Sequence, residues 1–109
     1  MKLPNCSKAV VRDAKIVEYL AVPLSKDDKV NYFLRFGFNF KNIKQFKTSL
    51  LEHALIRDVS DIRKHAYGIN YELKCNISTP DGRNPCIITV WTIAHGADIP
   101  SFVTAYKAR

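Results

Sequence analysis

The sequence predicts an α+β fold, in which about three N-terminal helices precede a small antiparallel β-sheet of about three to four strands. Apolar residues recur at helical spacing in the first half of the chain. In the second half, residues 69–77 alternate apolar and polar, and residues 87–93 are apolar or β-branched throughout. We expect a single domain, mainly helical over residues 1–66 and antiparallel sheet over residues 67–109.

The first two predicted helices are short. Asp13 is a favourable N-cap for a helix over about residues 14–21, which Pro23 would end. A second helix is predicted over about residues 26–36. Gly37 then fits a left-handed residue that stops this helix, because glycine adopts positive φ without steric cost.

The third helix, from residue 41 or 42 to residue 57, has the strongest pattern. Its apolar residues form one broad stripe: Ile43, Phe46, Leu50, Leu51, Ala54 and Leu55. His53 is predicted at the edge of this stripe, with Arg57 one turn beyond it on the same border. Lys47 falls inside the stripe, where it either extends its amine to solvent or faces a cleft between helix and sheet.

Three antiparallel strands are predicted, with the strand of Trp91 in the middle. Alternation places one set of residues on the packed face of the first strand: Ile69, Tyr71, Leu73, Cys75 and Ile77. Residues 59–67 are dense in charge and are predicted to form a loop. Pro80, Asp81 and Gly82 predict a turn between the first two strands.

Charge gives the first indication of function. The net charge is +7, and residues 1–66 contribute 13 Lys and Arg against 7 Asp and Glu, whereas residues 67–109 contribute 4 against 3. A cationic helical half suits a polyanion such as nucleic acid. No apolar run is long enough to cross a membrane and the N-terminus does not look like a signal peptide, so we expect a cytoplasmic protein without a membrane partner.

Several classes of site have no sequence support. The cysteines at positions 6, 75 and 86 lack metal-ligand spacing, so we interpret them as free thiols and expect no metal. Glycine-rich phosphate loops and the motifs of α/β-hydrolases and zinc enzymes are missing as well. The polar residue types that remain can cleave RNA through its own 2′-hydroxyl without a cofactor, since this needs only a base, an acid and cations for the phosphate.

Four residues are candidates for the chemistry. His53 can act as base or acid, although a helix-edge histidine with satisfied hydrogen bonds is the structural alternative. Lys29 can stabilise charge on the phosphate, or it can lie on a solvated helix face. Thr104 and Tyr106 share one face of the last strand, where their hydroxyls either contact the phosphate or only pack.

Five further residues are candidates for binding RNA. Arg83, in the Pro-Asp-Gly turn, can hold a phosphate with two hydrogen bonds. Tyr67 and Trp91 can stack bases, although the first also suits a strand anchor and the second a core position. Arg57 and Lys47 complete the set. His65 and His95 lie in predicted loops and are assigned no catalytic role.

The chain resembles a bacterial domain family of unknown function, and the matching pieces run from end to end. They are Leu3-Pro4-Asn5, Ala9-Val10-Val11, Lys15-Ile16, Tyr19-Leu20, Lys29 ahead of Phe33, Gly37-Phe38, Leu50-Leu51-Glu52-His53-Ala54, Tyr67-Gly68 with Tyr71, Pro80-Asp81-Gly82-Arg83, Val90-Trp91, and Pro100 followed by Val103-Thr104-Ala105-Tyr106. Such domains are similar to the toxic tips of polymorphic toxins and to stand-alone toxins, and the layout resembles the barnase–EndoU–colicin–RelE superfamily of RNases. Ile88, where relatives often have a basic residue, and Lys107, where they often have proline, depart from the pattern.

This resemblance implies a metal-independent ribonuclease toxin with RNA as substrate and a cognate antitoxin or immunity protein as partner. The active residues of that superfamily vary, so they do not transfer as a set. The sequence leaves two alternatives open. One is a non-catalytic RNA-binding module, and the other is a protein-interaction domain of the antitoxin or immunity type.

Overall fold

The computed structural model describes residues 1–20 and 32–108. Helix α1 spans Asp13–Leu20, residues 32–34 are helical, and the long helix α2 spans Ile43–Ile56. Four strands follow: β1 (Val59–His65), β2 (Gly68–Asn76), β3 (Cys86–Ala94) and β4 (Ser101–Lys107). They form one antiparallel sheet in the order β1-β2-β3-β4. The predicted α+β fold, with helices before the sheet, is confirmed.

The helix starts follow their local sequence. Asn42 caps α2, because its side chain accepts a hydrogen bond from the Gln45 N–H at 3.3 Å. Asp13 was predicted to be the N-cap of α1, but it is the first residue of this helix. The Arg12 carbonyl, one residue earlier, accepts the Lys15 N–H at 3.0 Å. The Asp13 carboxylate still favours the helix, because it lies in the first turn at the positive end of the dipole.

Gly37 ends the helical residues before it as predicted, with φ of +99°. Most of the second predicted helix, residues 26–31, lies outside the described residues. A Cβ on Gly37 would stand 3.0 Å from the Pro80 Cβ, so the end of this helix also packs against the predicted Pro-Asp-Gly turn. The Asp81 N–H donates to the Phe36 carbonyl at 3.2 Å and fixes that contact.

The buried face of α2 is rotated from the predicted stripe. It consists of Phe46, Ser49, Leu50, His53 and Ala54. Leu55, which was predicted to be buried, is 46% exposed. His53 therefore lies within the buried face of α2, not at its edge, because the sheet offers polar partners to its ring.

The prediction of a loop over residues 59–67 is wrong, since β1 occupies most of this segment. Its strand pairs with β2 from Val59 opposite Leu73 to His65 opposite Gly68, with an irregularity between Val59 and Asp61. The dense charge that suggested a loop is also typical of an edge strand, where charged side chains discourage pairing with other molecules. The β1 strand consequently extends the sheet into the part of the chain expected to be mainly helical.

The core lies between α2 and one face of the sheet. The alternation predicted for β2 is confirmed, because Tyr71, Leu73 and Ile77 are buried. The strand of Trp91, β3, lies between β2 and β4 as predicted. One cluster of buried side chains joins the helices to this face, and it includes Ile16, Phe33, Phe38, Phe46, Leu50, Ala54, Leu73, Ile87, Trp91, Phe102 and Ala105.

Within residues 1–20 and 32–108, none of the helices has the length and apolarity needed to span a membrane.

Candidate functional site

Strand pairing divides the polar side chains of the sheet between two faces. The helix-side face contacts α2 and includes Leu73, Thr89 and Trp91. The opposite face, called the distal face below, is lined by Arg63, His65, Asn70, Glu72, Thr92, Thr104 and Tyr106. The irregularity between Val90 and Trp91 keeps this division, since Phe102 pairs with Trp91 and Thr104 with Val90.

His53 belongs to a closed hydrogen-bond chain on the helix-side face. The Trp91 indole N–H donates to Thr89 Oγ1 at 2.9 Å, and His53 Nδ1 lies 2.9 Å from the same oxygen. His53 Nε2 lies 2.8 Å from the Cys75 carbonyl oxygen, which can only accept. The proton therefore resides on Nε2, and the Thr89 hydroxyl donates to Nδ1. Both ring nitrogens are satisfied, and His53 is 1% exposed.

Burial lowers the pKa of His53 to about 4, because desolvation disfavours the imidazolium. The hydrogen bond to the Cys75 carbonyl opposes this shift, and the positive charge of Arg57 adds to it. At neutral pH the ring is uncharged and has no path to a substrate. His53 therefore stabilises the fold and is not positioned for acid–base chemistry.

On the distal face, the Glu72 side chain lies beside Tyr106, Arg63 and Asp61, the last of which pairs opposite it on β1. The Tyr106 hydroxyl donates to Glu72 Oε1 at 2.8 Å, and Arg63 Nε lies 3.6 Å from Glu72 Oε2. Arg63 Nε also contacts Asp61 Oδ2 at 3.0 Å, and this hydrogen bond holds the pKa of Asp61 below its usual value. Because both ion pairs use Nε and the Arg63 side chain is 75% exposed, its terminal nitrogens remain accessible for an anion.

His65 lies two residues beyond Arg63 on β1, on the same face. Its Nδ1 accepts a hydrogen bond from the Tyr67 N–H at 3.1 Å, so the proton of the neutral ring resides on Nε2. That nitrogen lies 3.0 Å from Asn70 Oδ1 and 3.4 Å from Thr92 Oγ1. Unlike His53, His65 is exposed. An exposed imidazole, a carboxylate and an arginine thus share one surface. Arg63 lies about 7 Å along β1 from His65, and Glu72, which pairs with Asp61, lies about 13 Å along the strand direction from His65, so that Arg63 stands between them.

The model of a domain of unknown function, DUF6883, matches residues 2–109. The chain belongs to the DUF6883 family. Neither the curated proteins nor the solved structures contain a match to it. The predicted resemblance to a family of unknown function along the whole chain is thereby confirmed, and the relation to toxins and RNases stays a prediction.

The DUF6883 domain separates the predicted catalytic residues. Thr104 and Tyr106 lie on the distal face, where Thr104 stands on the same rung of the sheet as Glu72, with Val90 between them. His53 lies on the opposite face within the core. Lys29 falls outside the described residues. The space between α2 and strands β2 and β3 is filled by the core, and His53 and Thr104 lie on opposite faces of the sheet, so they cannot share a site.

The predicted RNA-binding aromatic residues also separate. Trp91 has no exposed surface, so it is a core residue of the DUF6883 domain and cannot stack a base. Tyr67 is 80% exposed at the β1–β2 connection, beside His65. Of the two predicted stacking residues, only Tyr67 can therefore reach a nucleotide.

The predicted cationic residues mostly serve the fold. The Arg83 guanidinium binds Asp81 and the Arg35 carbonyl and lies 4.4 Å from the centre of the Phe36 ring, so it fastens its turn to the helical layer. Arg57 Nε donates to the Asn76 carbonyl at 3.0 Å. The amine of Lys47 extends from the helix to Asp13 Oδ1 at 3.4 Å, in agreement with the first of its two predicted alternatives.

Arg63, His65 and Glu72 were not predicted to form a group. Glu72 was expected on the wet face of its strand, but Arg63 and His65 were placed in a loop. Residues 61–65 do not alternate between apolar and polar, so periodicity gave no signal for a strand there. The available signal was the two-residue link before β2, which is typical of a hairpin.

Among the described residues, no group of at least three His, Cys, Asp or Glu side chains is arranged to hold a metal ion.

Proposed function

We propose that this DUF6883 domain is an endoribonuclease that cleaves RNA through the 2′-hydroxyl with side chains of the distal face alone. The observation that supports this most directly is the shared placement of Glu72, Arg63 and His65 on the face opposite α2. A base, a cation and an acid are the groups that this reaction requires. The role first assigned to His53 passes to residues with access to solvent.

In the proposed reaction, Glu72 accepts the proton of the 2′-hydroxyl while the 2′-oxygen attacks phosphorus. Its partial burial (the side chain is 16% exposed) and the hydrogen bond from Tyr106 hold the carboxylate in place. Arg63 donates from its terminal nitrogens to the non-bridging phosphate oxygens, where negative charge develops. The bond between phosphorus and the 5′-oxygen breaks as the new bond forms.

His65 supplies a proton to the leaving 5′-oxygen. In the free protein its Nδ1 accepts from the Tyr67 N–H, which corresponds to the neutral ring. The imidazolium form of His65 cannot accept the hydrogen bond from the Tyr67 N–H, and it donates a proton to the 5′-oxygen as an acid. The products are a 2′,3′-cyclic phosphate and a 5′-hydroxyl, so protons and bonds balance without water or metal.

The direct test incubates the purified protein with a labelled single-stranded RNA in the presence of EDTA. We expect fragments ending in a 2′,3′-cyclic phosphate, and no cleavage of the same strand with 2′-methoxy groups. Arg63→Lys, which keeps the charge but loses the planar geometry, should be impaired. Lys44→Ala on the exposed side of α2 is the matched control and should be fully active. Intact RNA with folded protein, or cleavage only after metal is added, would contradict the proposal.

We further propose that the domain acts as a bacterial toxin, with RNA as substrate and an antitoxin or immunity protein as partner. Support comes from the resemblance described above. Expression should arrest growth, and coexpression of the neighbouring open reading frame should restore it. The arrest should disappear in Glu72→Gln, and its persistence in that variant would separate toxicity from RNA cleavage.

A second candidate function, a protein-interaction domain, is favoured by a different observation. Exposed apolar side chains gather where α2 ends and β1 begins: Met1, Leu55, Ile56 and Ile62, which are 45–66% exposed. The Lys2 amine binds the Ile56 carbonyl and the Val59 N–H binds the Met1 carbonyl, which brings these segments together. A protein partner without RNA cleavage would support this function, whereas salt-dependent RNA binding without cleavage would indicate an RNA-binding module.

A further inference from the structure

The most exposed large side chain with apolar character among residues 1–20 and 32–108 is Tyr67. Its side chain is 80% exposed, compared with 43–66% for the other exposed side chains of this class. A single exposed aromatic ring does not by itself indicate a binding site, because apolar atoms are common on protein surfaces. The position of this ring does suggest a binding role, since Tyr67 occupies the short link between β1 and β2 at the end of the distal face.

The backbone that carries this ring is fixed on both sides. In the free protein the Tyr67 N–H donates to His65 Nδ1 at 3.1 Å. The Tyr67 carbonyl accepts from the His95 N–H at 2.9 Å, and this hydrogen bond does not depend on the protonation of His65. The next residue must be glycine, because the Ile93 carbonyl oxygen occupies the space that a Cβ on Gly68 would need. The ring therefore projects from a rigid base, and little conformational entropy is lost when a ligand stacks on it.

The ring also stands in a defined place relative to the proposed reaction. Its centre lies 6.4 Å from the centre of the His65 ring, with the two planes inclined by 57°. Arg63, which would hold the phosphate, lies on the other side of His65 along β1. A strand of RNA whose leaving 5′-oxygen meets His65 thus brings the nucleoside bearing that oxygen next to Tyr67.

We infer that Tyr67 stacks on the base of the nucleotide 3′ to the scissile phosphate, so that the enzyme acts on unpaired RNA. The inference deepens the proposed ribonuclease function and rests on it for the position of the cut. An unpaired base can offer its face to an aromatic ring, whereas a base within a duplex is stacked on both sides. Stacking on tyrosine tolerates every base, so the subsite distinguishes unpaired from paired RNA and does not discriminate between base sequences.

The test uses DNA strands that contain a single ribonucleotide, which fixes the cut. The nucleotide on its 3′ side has either a base or an abasic sugar. Removing that base should lower kcat/KM of the wild type about tenfold, and Tyr67→Ala should cause a similar loss on the intact strand. Because both changes remove one interaction, the two losses should not add. Tyr67→Phe should retain the wild-type rate, since the ring is kept.

Two matched strands serve as controls. An abasic sugar on the 5′ side of the ribonucleotide should change the rate much less than one on the 3′ side. Pairing the cut site with a complementary strand should protect it from cleavage. Losses that add, or an equal effect of the two abasic positions, would overturn the inference while leaving the ribonuclease function intact.

A binding experiment distinguishes the stacking subsite from the ribonuclease function if no cleavage occurs. A fluorescent single strand with 2′-methoxy groups, with and without one abasic position, is titrated with wild-type protein and with Tyr67→Ala. Weaker binding by the variant to the intact strand alone would support stacking even if the proposed reaction fails. Equal binding by both proteins would overturn the stacking subsite.

Discussion

Each face of the sheet has a histidine beside a threonine, and the two pairs have different consequences. On the helix-side face, His53 Nδ1 lies 2.9 Å from the Thr89 hydroxyl, and the ring is buried between α2 and the sheet. On the distal face, His65 Nε2 lies 3.4 Å from the Thr92 hydroxyl and the ring is exposed. The residue types are the same and both rings have hydrogen-bond partners at each nitrogen, so burial distinguishes the two pairs.

The buried pair is a structural device. Cys75, whose carbonyl binds His53, has φ of +147°, a conformation that favours glycine, and the hydrogen bond helps to hold it. Trp91 has its only polar atom satisfied by the same threonine. The His65 ring of the distal pair also has partners at both nitrogens, but it is exposed to solvent and lies two residues from the ion pairs of Arg63.

The largest expected effect concerns activity on the distal face. Glu72→Gln and His65→Ala should each lower the rate of RNA cleavage by about 100-fold or more, because each removes a proton acceptor or donor. The unfolding midpoint in urea should change little, since both residues are on the sheet surface. Cleavage kinetics and urea titrations of the same preparations test both statements. Full activity in both variants would show that Glu72 and His65 do not take part in RNA cleavage.

The next effect concerns stability on the helix-side face. His53→Ala should lower the free energy of unfolding by about 3 kcal/mol, because it opens a cavity and leaves the Cys75 carbonyl and Thr89 hydroxyl without their partner. His65→Ala, its counterpart on the distal face, should cost about 1 kcal/mol or less. Equilibrium unfolding in urea gives both values. Equal losses would show that the two histidines are not distinguished by burial.

The pH dependence of stability follows from the lowered pKa of His53. Its folded pKa of about 4 lies below the ordinary value of 6.5, so the unfolded chain binds more protons between these values and stability falls as pH decreases through this window. The full loss is on the order of 3 kcal/mol. The free energy of unfolding of His53→Gln should decrease less than that of the wild type between about pH 7 and about pH 5. Identical profiles in urea titrations would exclude His53 as the cause.

The smallest effect is a matched pair of threonine substitutions. Thr89→Val should cost about 1–2 kcal/mol, since the buried Trp91 N–H and His53 Nδ1 both lose their partner. Thr92→Val keeps the shape on the distal face and should change stability by about 0.5 kcal/mol or less. Thermal unfolding of the two variants side by side is sufficient. A larger loss for Thr92→Val would reverse the assignment of the two faces.

The comparison also shows where prediction from sequence succeeded. The spacing of Phe46, Leu50 and Ala54 specified a helix, and the alternation of Tyr71 and Leu73 specified a strand with one packed face. Hydrophobic periodicity suffices there, because it depends only on local geometry. The same method misjudged β1, since an exposed edge strand has no buried face to impose a period. It also placed Leu55 inside the helix-side core, because the orientation of α2 depends on its partners.

The sequence by itself determined the α+β class and the position of Trp91 in an inner strand. Only the tertiary structure decided which histidine is sealed and which is accessible. The physical reason is that local spacing places a side chain on a face of a strand or helix, whereas pairing of β1 with β2 and docking of α2 determine which face meets solvent. The sequence placed His53 at the edge of a helical stripe and His65 in a loop, and neither placement gave the exposure of the ring.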